Sequence, residues 1–404
     1  MRYVTPTLLI LVLVLGATSR ADTPRKDRPM EEVVRGNTRF ALDLYSRLRP
    51  GSGNLFLSPY SLSTALAMTS AGARGETATQ MARTLHFDVP GERLHAAFAE
   101  LARRIIGEGQ SRPYKLSVAN SLWGQEGTHF LPGFLQVMAE DYGAGLRQVD
   151  FRSAELTCRT INAWVEEQTG GKIKDLIQPS SITPLTRLVL TNAIYFKGNW
   201  ANPFPKGETK DETFLATGDG RVTVPMMHQV GRFNYLEGDT FQALELPYAS
   251  DDLSMIVLLP KAADGLATLE EALTPDRLDS WLADMKSHRV DVALPRFKIE
   301  ARFELRGMLS AMGMPDAFDL DRADFSGMTG GRDLYISAVI HKAFVEVNEE
   351  GTEAAAATGV AMSGRAVRPE PVASFRADHP FAFLIRDRRT GSLLFMGRVA
   401  NPKG

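Results

Sequence analysis

Residues 349–366 read EEGTEAAAATGVAMSGRA, a run of small side chains opened by two glutamates and closed by Arg365 and Ala366. Strand-like sequence flanks it on both sides. Residues 334–340 and 344–347 before it are rich in β-branched and aromatic side chains, and residues 380–385 and 393–399 after it repeat that character. A long connection between strands is uncommon inside a compact domain and is usually functional or disordered. The four alanines at 354–357 are strong helix formers, so a short surface helix or a linker is the plainer reading. Alternation argues against it. As an extended strand the segment places Thr352, Ala354, Ala356, Thr358, Val360 and Met362 on one face. Glu353, Ala355, Ala357, Gly359, Ala361 and Ser363 fall on the other, which takes the only charge. The first face is therefore fit to be buried in a sheet.

Working outward, five phrases occur in order along most of the chain: NLFLSPYSLSTALAMTSAGARGETATQM at 54–81, TNAIYFKGNWANPF at 191–204, VPMM at 224–227, VIHKAFVEVNEEGTEAAAAT at 339–358 and HPFAFLIRDRRTGSLLFMGRVANP at 379–402. On these the chain resembles the serpins, over roughly residues 30–403. The resemblance implies an α+β fold of three β-sheets and about nine helices, in one domain over residues 22–404. It also implies an exposed reactive-centre loop at about 350–374. The expected function is a suicide inhibitor of trypsin-like serine proteases, with an arginine reactive site of the antithrombin kind.

The same resemblance assigns site residues. The hinge is Glu349, Glu350, Gly351, Thr352, Glu353, Ala354, Ala355, Ala356 and Ala357, and the cleaved bond, fourteen residues after Gly351, is Arg365–Ala366. Ser58, Ser61, Asn192 and His341 are polar interruptions of apolar sequence and match the family's shutter, where the central sheet parts. A polar cluster that satisfies its own hydrogen bonds is the plainer reading and is compatible with that role. Trp200, Arg296 and Glu349 match the breach at the top of the sheet, with Arg296 where many relatives carry lysine; an ordinary surface ion pair is the alternative. The intact protein is expected to hold residues 352–363 in solvent until cleavage releases them into the sheet. Arg368 is a second trypsin-type residue, but Pro369 disfavours cleavage there, and Met362 offers a site to other proteases. Two other readings stay open: a non-inhibitory carrier or chaperone, and an inhibitor of cysteine proteases.

Enzyme chemistry has no signature here. There is no G-x-S-x-G, H-E-x-x-H, phosphate-cradling glycine loop or paired Cys-x-x-Cys, and the seven histidines are not spaced as metal ligands. No cofactor or metal is expected, and the partner is the protease alone. With 46 basic and 48 acidic side chains the formal charge is −2, which calls for neither nucleic acid nor a membrane surface. Arg103, Arg104, Arg112 and Lys115 are diluted by Glu100 and Glu108, so a polysaccharide cofactor is not expected. A monomer is.

At 404 residues, length alone suggests two or three domains, yet no linker or repeat divides the chain. Arg2, the apolar run 8–15 and Ser19-Arg20-Ala21 read as a signal peptide cleaved after about Ala21, which predicts a secreted protein, extracellular or periplasmic. Cys158 is the sole cysteine and excludes an internal disulfide; it opens a helical pattern with Ile161, Trp164 and Val165 and is expected to be buried. Leu94, Ala97, Phe98, Leu101 and Ile105 form a second helical stripe facing a core.

Overall fold

The computed structural model describes residues 28–107, 114–143, 145–218, 220–352 and 371–404. Glu353, Ala354, Ala355, Ala356, Ala357, Arg365 and Ala366 lie outside the described residues, as does the N-terminal leader stretch.

The chain up to residue 237 supplies strands β1 (Leu55–Leu57), β2 (Tyr114–Gln125), β3 (Leu146–Val149), β4 (Leu188–Asn199), β5 (Lys210–Ala216) and β6 (Gly220–Glu237). Next come β7 (Phe241–Pro247), β8 (Leu253–Pro260), β9 (Lys286–Pro295) and β10 (Phe297–Glu304). The last five are β11 (Ile336–Asn348), β12 (Gly351–Thr352), β13 (Ala373–Arg376), β14 (Phe381–Asp387) and β15 (Leu393–Val399). Six helices belong to the first half: α1 (Arg28–Leu48), α2 (Pro59–Ser70), α3 (Gly75–Thr84), α4 (Glu92–Ile106), α5 (Pro132–Tyr142) and α6 (Ala154–Gln168). The other four are α7 (Leu266–Ala272), α8 (Pro275–Asp284), α9 (Arg306–Met312) and α10 (Ser326–Thr329), making ten among the described residues.

The central sheet runs β10-β11-β12-β4-β2-β3. Its strands β4 and β11 are buried over most of their length, as strands covered on both faces are; β4 is buried from Leu188 to Phe196. On one face α6 packs Cys158, Ile161 and Val165 against Ala119, Trp123, Val189, Ala193, Ala338 and Ile340. On the other face α2 enters through Ser58, which caps it by accepting the Ser61 N–H, with Pro59 in the first helical turn. The remaining strands form a nine-stranded network, β1-β15-β14-β8-β7-β6-β9-β13, with β5 on β6. The three expected sheets are thus a central sheet and two others joined into one. The cause is β6, an 18-residue strand that pairs β5 through its first residues and β7 through its last, with β9 alongside between them.

The seam between β4 and β11 positions the site. Over most of their length these strands pair directly and in parallel, from Ile336 opposite Leu188 to Phe344 opposite Tyr195. At one end β12 lies between them, Thr352 pairing Gly198 on one side and Val347 on the other. This corrects the expectation that Thr352 waits in solvent: it is fully buried, already a residue of the sheet.

The helical stripes hold. Leu94, Ala97, Phe98, Leu101 and Ile105 are buried on α4, and Cys158 is a buried free thiol on α6 whose pKa burial pushes up.

Candidate functional site

The split end of the sheet is built on two glycines. Gly351 has φ +146°, and a Cβ there would lie 2.1 Å from the Gly198 carbonyl oxygen, so the hinge enters only because neither strand has a side chain at the crossing. Gly198 is equally constrained, since its Cβ would come within 2.7 Å of the Phe196 ring. Beyond them the Thr352 and Tyr248 hydroxyls lie 2.9 Å apart and buried. Burial pushes the Tyr248 phenol up in pKa, so the hydroxyl stays neutral. Tyr248 stacks on Trp200 with ring centroids 4.7 Å apart.

Trp200 ties the turn that leads into the hinge. Its ring Nε1–H donates to the Asn348 carbonyl at 3.0 Å and its backbone N–H to the Glu350 carbonyl at 2.8 Å. Glu349 is buried, and one carboxylate oxygen accepts from Arg296 Nε at 2.8 Å, from Arg296 Nη2 and from Thr209 Oγ1 at 2.5 Å. Burial would raise its pKa, but the bonds from Arg296 and Thr209 outweigh it and hold the carboxyl below its ordinary value. Glu350 pairs with Lys206 at 2.5 Å. Trp200, Arg296 and Glu349, read from sequence as one group, are therefore brought together around the hinge, and Thr209 and Tyr248 join them.

Further along the seam the four shutter candidates also meet. His341 and Asn192 are register partners across β11 and β4, and both are fully buried. The Ser58 backbone N–H donates to His341 Nε2 at 3.1 Å, which places the ring proton on Nδ1, where it donates to Asn192 Oδ1. Asn192 Nδ2 donates to Ser61 Oγ at 2.7 Å and to Asn120 Oδ1 at 2.5 Å. Ser58 Oγ donates to the Leu394 carbonyl at 2.6 Å. Asn120 completes the cluster and was not singled out from the sequence. It is the register partner of Asn192 on β2, and its place as an amide inside SVANSLW was the available signal. A strand entering between β4 and β11 must part His341 from Asn192, so these polar groups have to exchange partners, which interlocked aliphatic chains could not do.

Burial pushes the His341 pKa down to about 3, so the ring is neutral at neutral pH. Because the folded value lies below the ordinary 6.5, the unfolded chain binds the extra proton first, and stability falls as pH drops below 6.5. One such group removes about 2 kcal/mol at pH 5. His95, pushed down to about 4 by burial, adds to the loss. We expect His341→Gln to flatten the loss in unfolding midpoint between pH 7 and pH 5 relative to wild type; parallel losses would remove His341 from the explanation.

Known proteins agree with this architecture. Residues 35–402 match the serpin (serine protease inhibitor) family. The chain is 44% identical over 384 residues to human leukocyte elastase inhibitor, covering 92% of this chain and 100% of that protein. Among solved structures, human thyroxine-binding globulin with bound thyroxine superposes with a TM-score of 0.85 at 32% identity, covering 93% of this chain and 100% of that one. Serpin48 of the insect Tenebrio molitor gives 0.81 at 33%, over 94% and 99%. The chain belongs to the serpin family, which is described as one of serine protease inhibitors.

Two expectations change with these relatives. The human and bovine relatives are leukocyte elastase inhibitors, not proteins of the antithrombin kind. Secretion is withdrawn as well: the whole of the human and bovine relatives aligns to 92% of this chain, which leaves the leader-like stretch without support from them.

Proposed function

We propose that this serpin traps trypsin-like serine proteases by inserting its cleaved loop between β4 and β11, acting as one unit over residues 22–404. The protease serine attacks the Arg365 carbonyl, the amine of Ala366 leaves, and an acyl-enzyme on Arg365 remains. The released strand then continues the path begun by Gly351 and Thr352 and carries the protease with it. The observation that supports this reading most is the double pairing of those two residues, on β11 and on β4. Ahead of the insertion path lies a seam whose polar cluster can exchange partners, and the first inserted side chain is short and uncharged.

The human relative is named for elastase. Elastase has a small primary pocket, whereas Arg365 offers a long cation suited to a pocket floored by a carboxylate. Gly364 and Ala366 leave the approach open. Loss of one partner of a buried charge pair costs about 2–5 kcal/mol. Arg365→Ala should therefore slow trypsin inhibition at least about thirtyfold and allow weak inhibition of an elastase. Trypsin inhibited at the wild-type rate by this variant would place the reactive bond elsewhere.

A further inference from the structure

Beyond the loop the chain rejoins the body through β13, a strand of four residues whose one pairing neighbour among the described residues is β9. So short a parallel pair is a weak hold by itself. The corner that follows carries the fastening. Ala377 donates its N–H to the Ala293 carbonyl of β9 at 2.9 Å, and the Asp378 carbonyl accepts the Leu215 N–H of β5 at 2.7 Å. Arg376 donates through Nε to Asp378 Oδ2 at 2.9 Å and through Nη2 to Glu212 of β5, which also pairs with His228 of β6 at 2.9 Å. His379 lies buried at the end of this chain of charges. Its Nδ1 is 2.8 Å from Asp378 Oδ1, and its Nε2 is 2.7 Å from the Pro260 carbonyl at the end of β8. Next to Pro260, the Lys261 ammonium pairs with Glu237 of β6 at 2.6 Å.

Both partners of the His379 ring are acceptors. A backbone carbonyl can only accept, so Nε2 has to carry a proton. Asp378 is ionised: burial would raise its pKa, but the bonds from His379 and Arg376 outweigh it and hold the carboxyl below its ordinary value. Nδ1 therefore carries a proton as well, and the ring that fits this site is the imidazolium. We propose that His379 is a pH-sensitive clamp, closed as the imidazolium and opened by loss of a proton, that fixes the strand anchoring the far end of the loop. A neutral ring turns a lone pair toward the carboxylate or toward the carbonyl, and the corner loses one of its two ties. Burial alone would lower the pKa of His379; the bonds to Asp378 and to the Pro260 carbonyl hold it above its ordinary value. With the folded value above the unfolded value of about 6.5, the clamp contributes fully below that pH and is lost as pH rises through the folded pKa. This is opposite in sign to His341 and His95, whose contributions no longer change above that pH. The clamp belongs to the intact chain and holds whether or not the loop inserts.

The test is amide hydrogen exchange of the intact protein between about pH 6.5 and pH 9, corrected for the intrinsic pH dependence of exchange. The Ala377 amide is the probe, and the amide of Leu384, buried in β14, is the reference. Loss of a charge-assisted hydrogen bond should lower the protection of Ala377 relative to Leu384 about tenfold in wild type over this range. His379→Lys keeps a cation throughout and should hold the high ratio at both ends. His379→Gln has no proton to lose and should give one ratio at both ends, below that of wild type at the lower pH. Nitrogen NMR of the wild-type ring should show both nitrogens protonated at the lower pH and a titration above about 6.5. A wild-type ratio that does not change with pH, an equal fall in His379→Lys, or a ring that titrates at or below about 6.5 overturns the clamp.

Discussion

Thr352→Arg is expected to turn the protein from a trap into a substrate. Thr352 is fully buried between β11 and β4, with its hydroxyl 2.9 Å from that of Tyr248 and the stacked Tyr248–Trp200 pair behind it. A guanidinium at this position would replace a hydroxyl whose described partner is the neutral Tyr248 hydroxyl, and an unpaired buried ion costs several kcal/mol. The hinge of the variant has to withdraw, and the cleaved loop then has no favourable first step into the sheet. Insertion slows, deacylation wins, and cleaved protein replaces covalent complex. Since about 1.4 kcal/mol is a factor of ten in a rate ratio, the ratio of cleaved protein to complex should rise tenfold or more on a denaturing gel. Withdrawal should also change the fluorescence of Trp200, whose ring N–H and backbone N–H both bind the turn before the hinge. A variant that still yields mainly complex would show that this site does not take part in insertion.

Cleavage at Arg365 should make the protein more heat-resistant, the reverse of what nicking does to most domains. Among the described residues β4 and β11 take two between them, and from Ile336 to Phe344 the seam is closed by direct pairing. About a dozen inserted residues, each contributing roughly 0.5–1.5 kcal/mol net per hydrogen bond, supply on the order of 10 kcal/mol before packing gains. That is large beside a usual stability of about 5–15 kcal/mol. With an unfolding entropy of about 2.1 cal/mol/K per residue, a chain of this length should gain on the order of 10 °C or more in its thermal midpoint. Unfolding of the intact form is expected to be irreversible, so both forms need the same scan rate. An unchanged midpoint after confirmed cleavage at Arg365 would point to a serpin that does not insert.

Much of this architecture is readable along the chain, because the decisive segments have strong local character. The apolar runs that become β11, β14 and β15, the period-2 pattern after Gly351, and the helical stripes of α4 and α6 need no partner to be recognised. Ser58, Ser61, Asn192 and His341 could be picked out because each interrupts apolar sequence. What was hidden depends on distant pairing. Asn120 matters because β2 lies beside β4 in one register, and Tyr248 because the turn after β7 folds over the hinge. The position of Thr352 was misjudged because alternation tells which face a strand buries, not whether it has already entered the sheet. The joining of two sheets through β6 was missed because a long strand carries no mark of where its neighbours change.

The most direct measurement of the central claim is to mix the protein with trypsin and examine the product under denaturing conditions by gel and mass spectrometry. The account expects a one-to-one complex that survives SDS, with the ester on Arg365 and the fragment beginning at Ala366 released on denaturation. Complete cleavage without a complex, or a stable ester at any other residue, would contradict it.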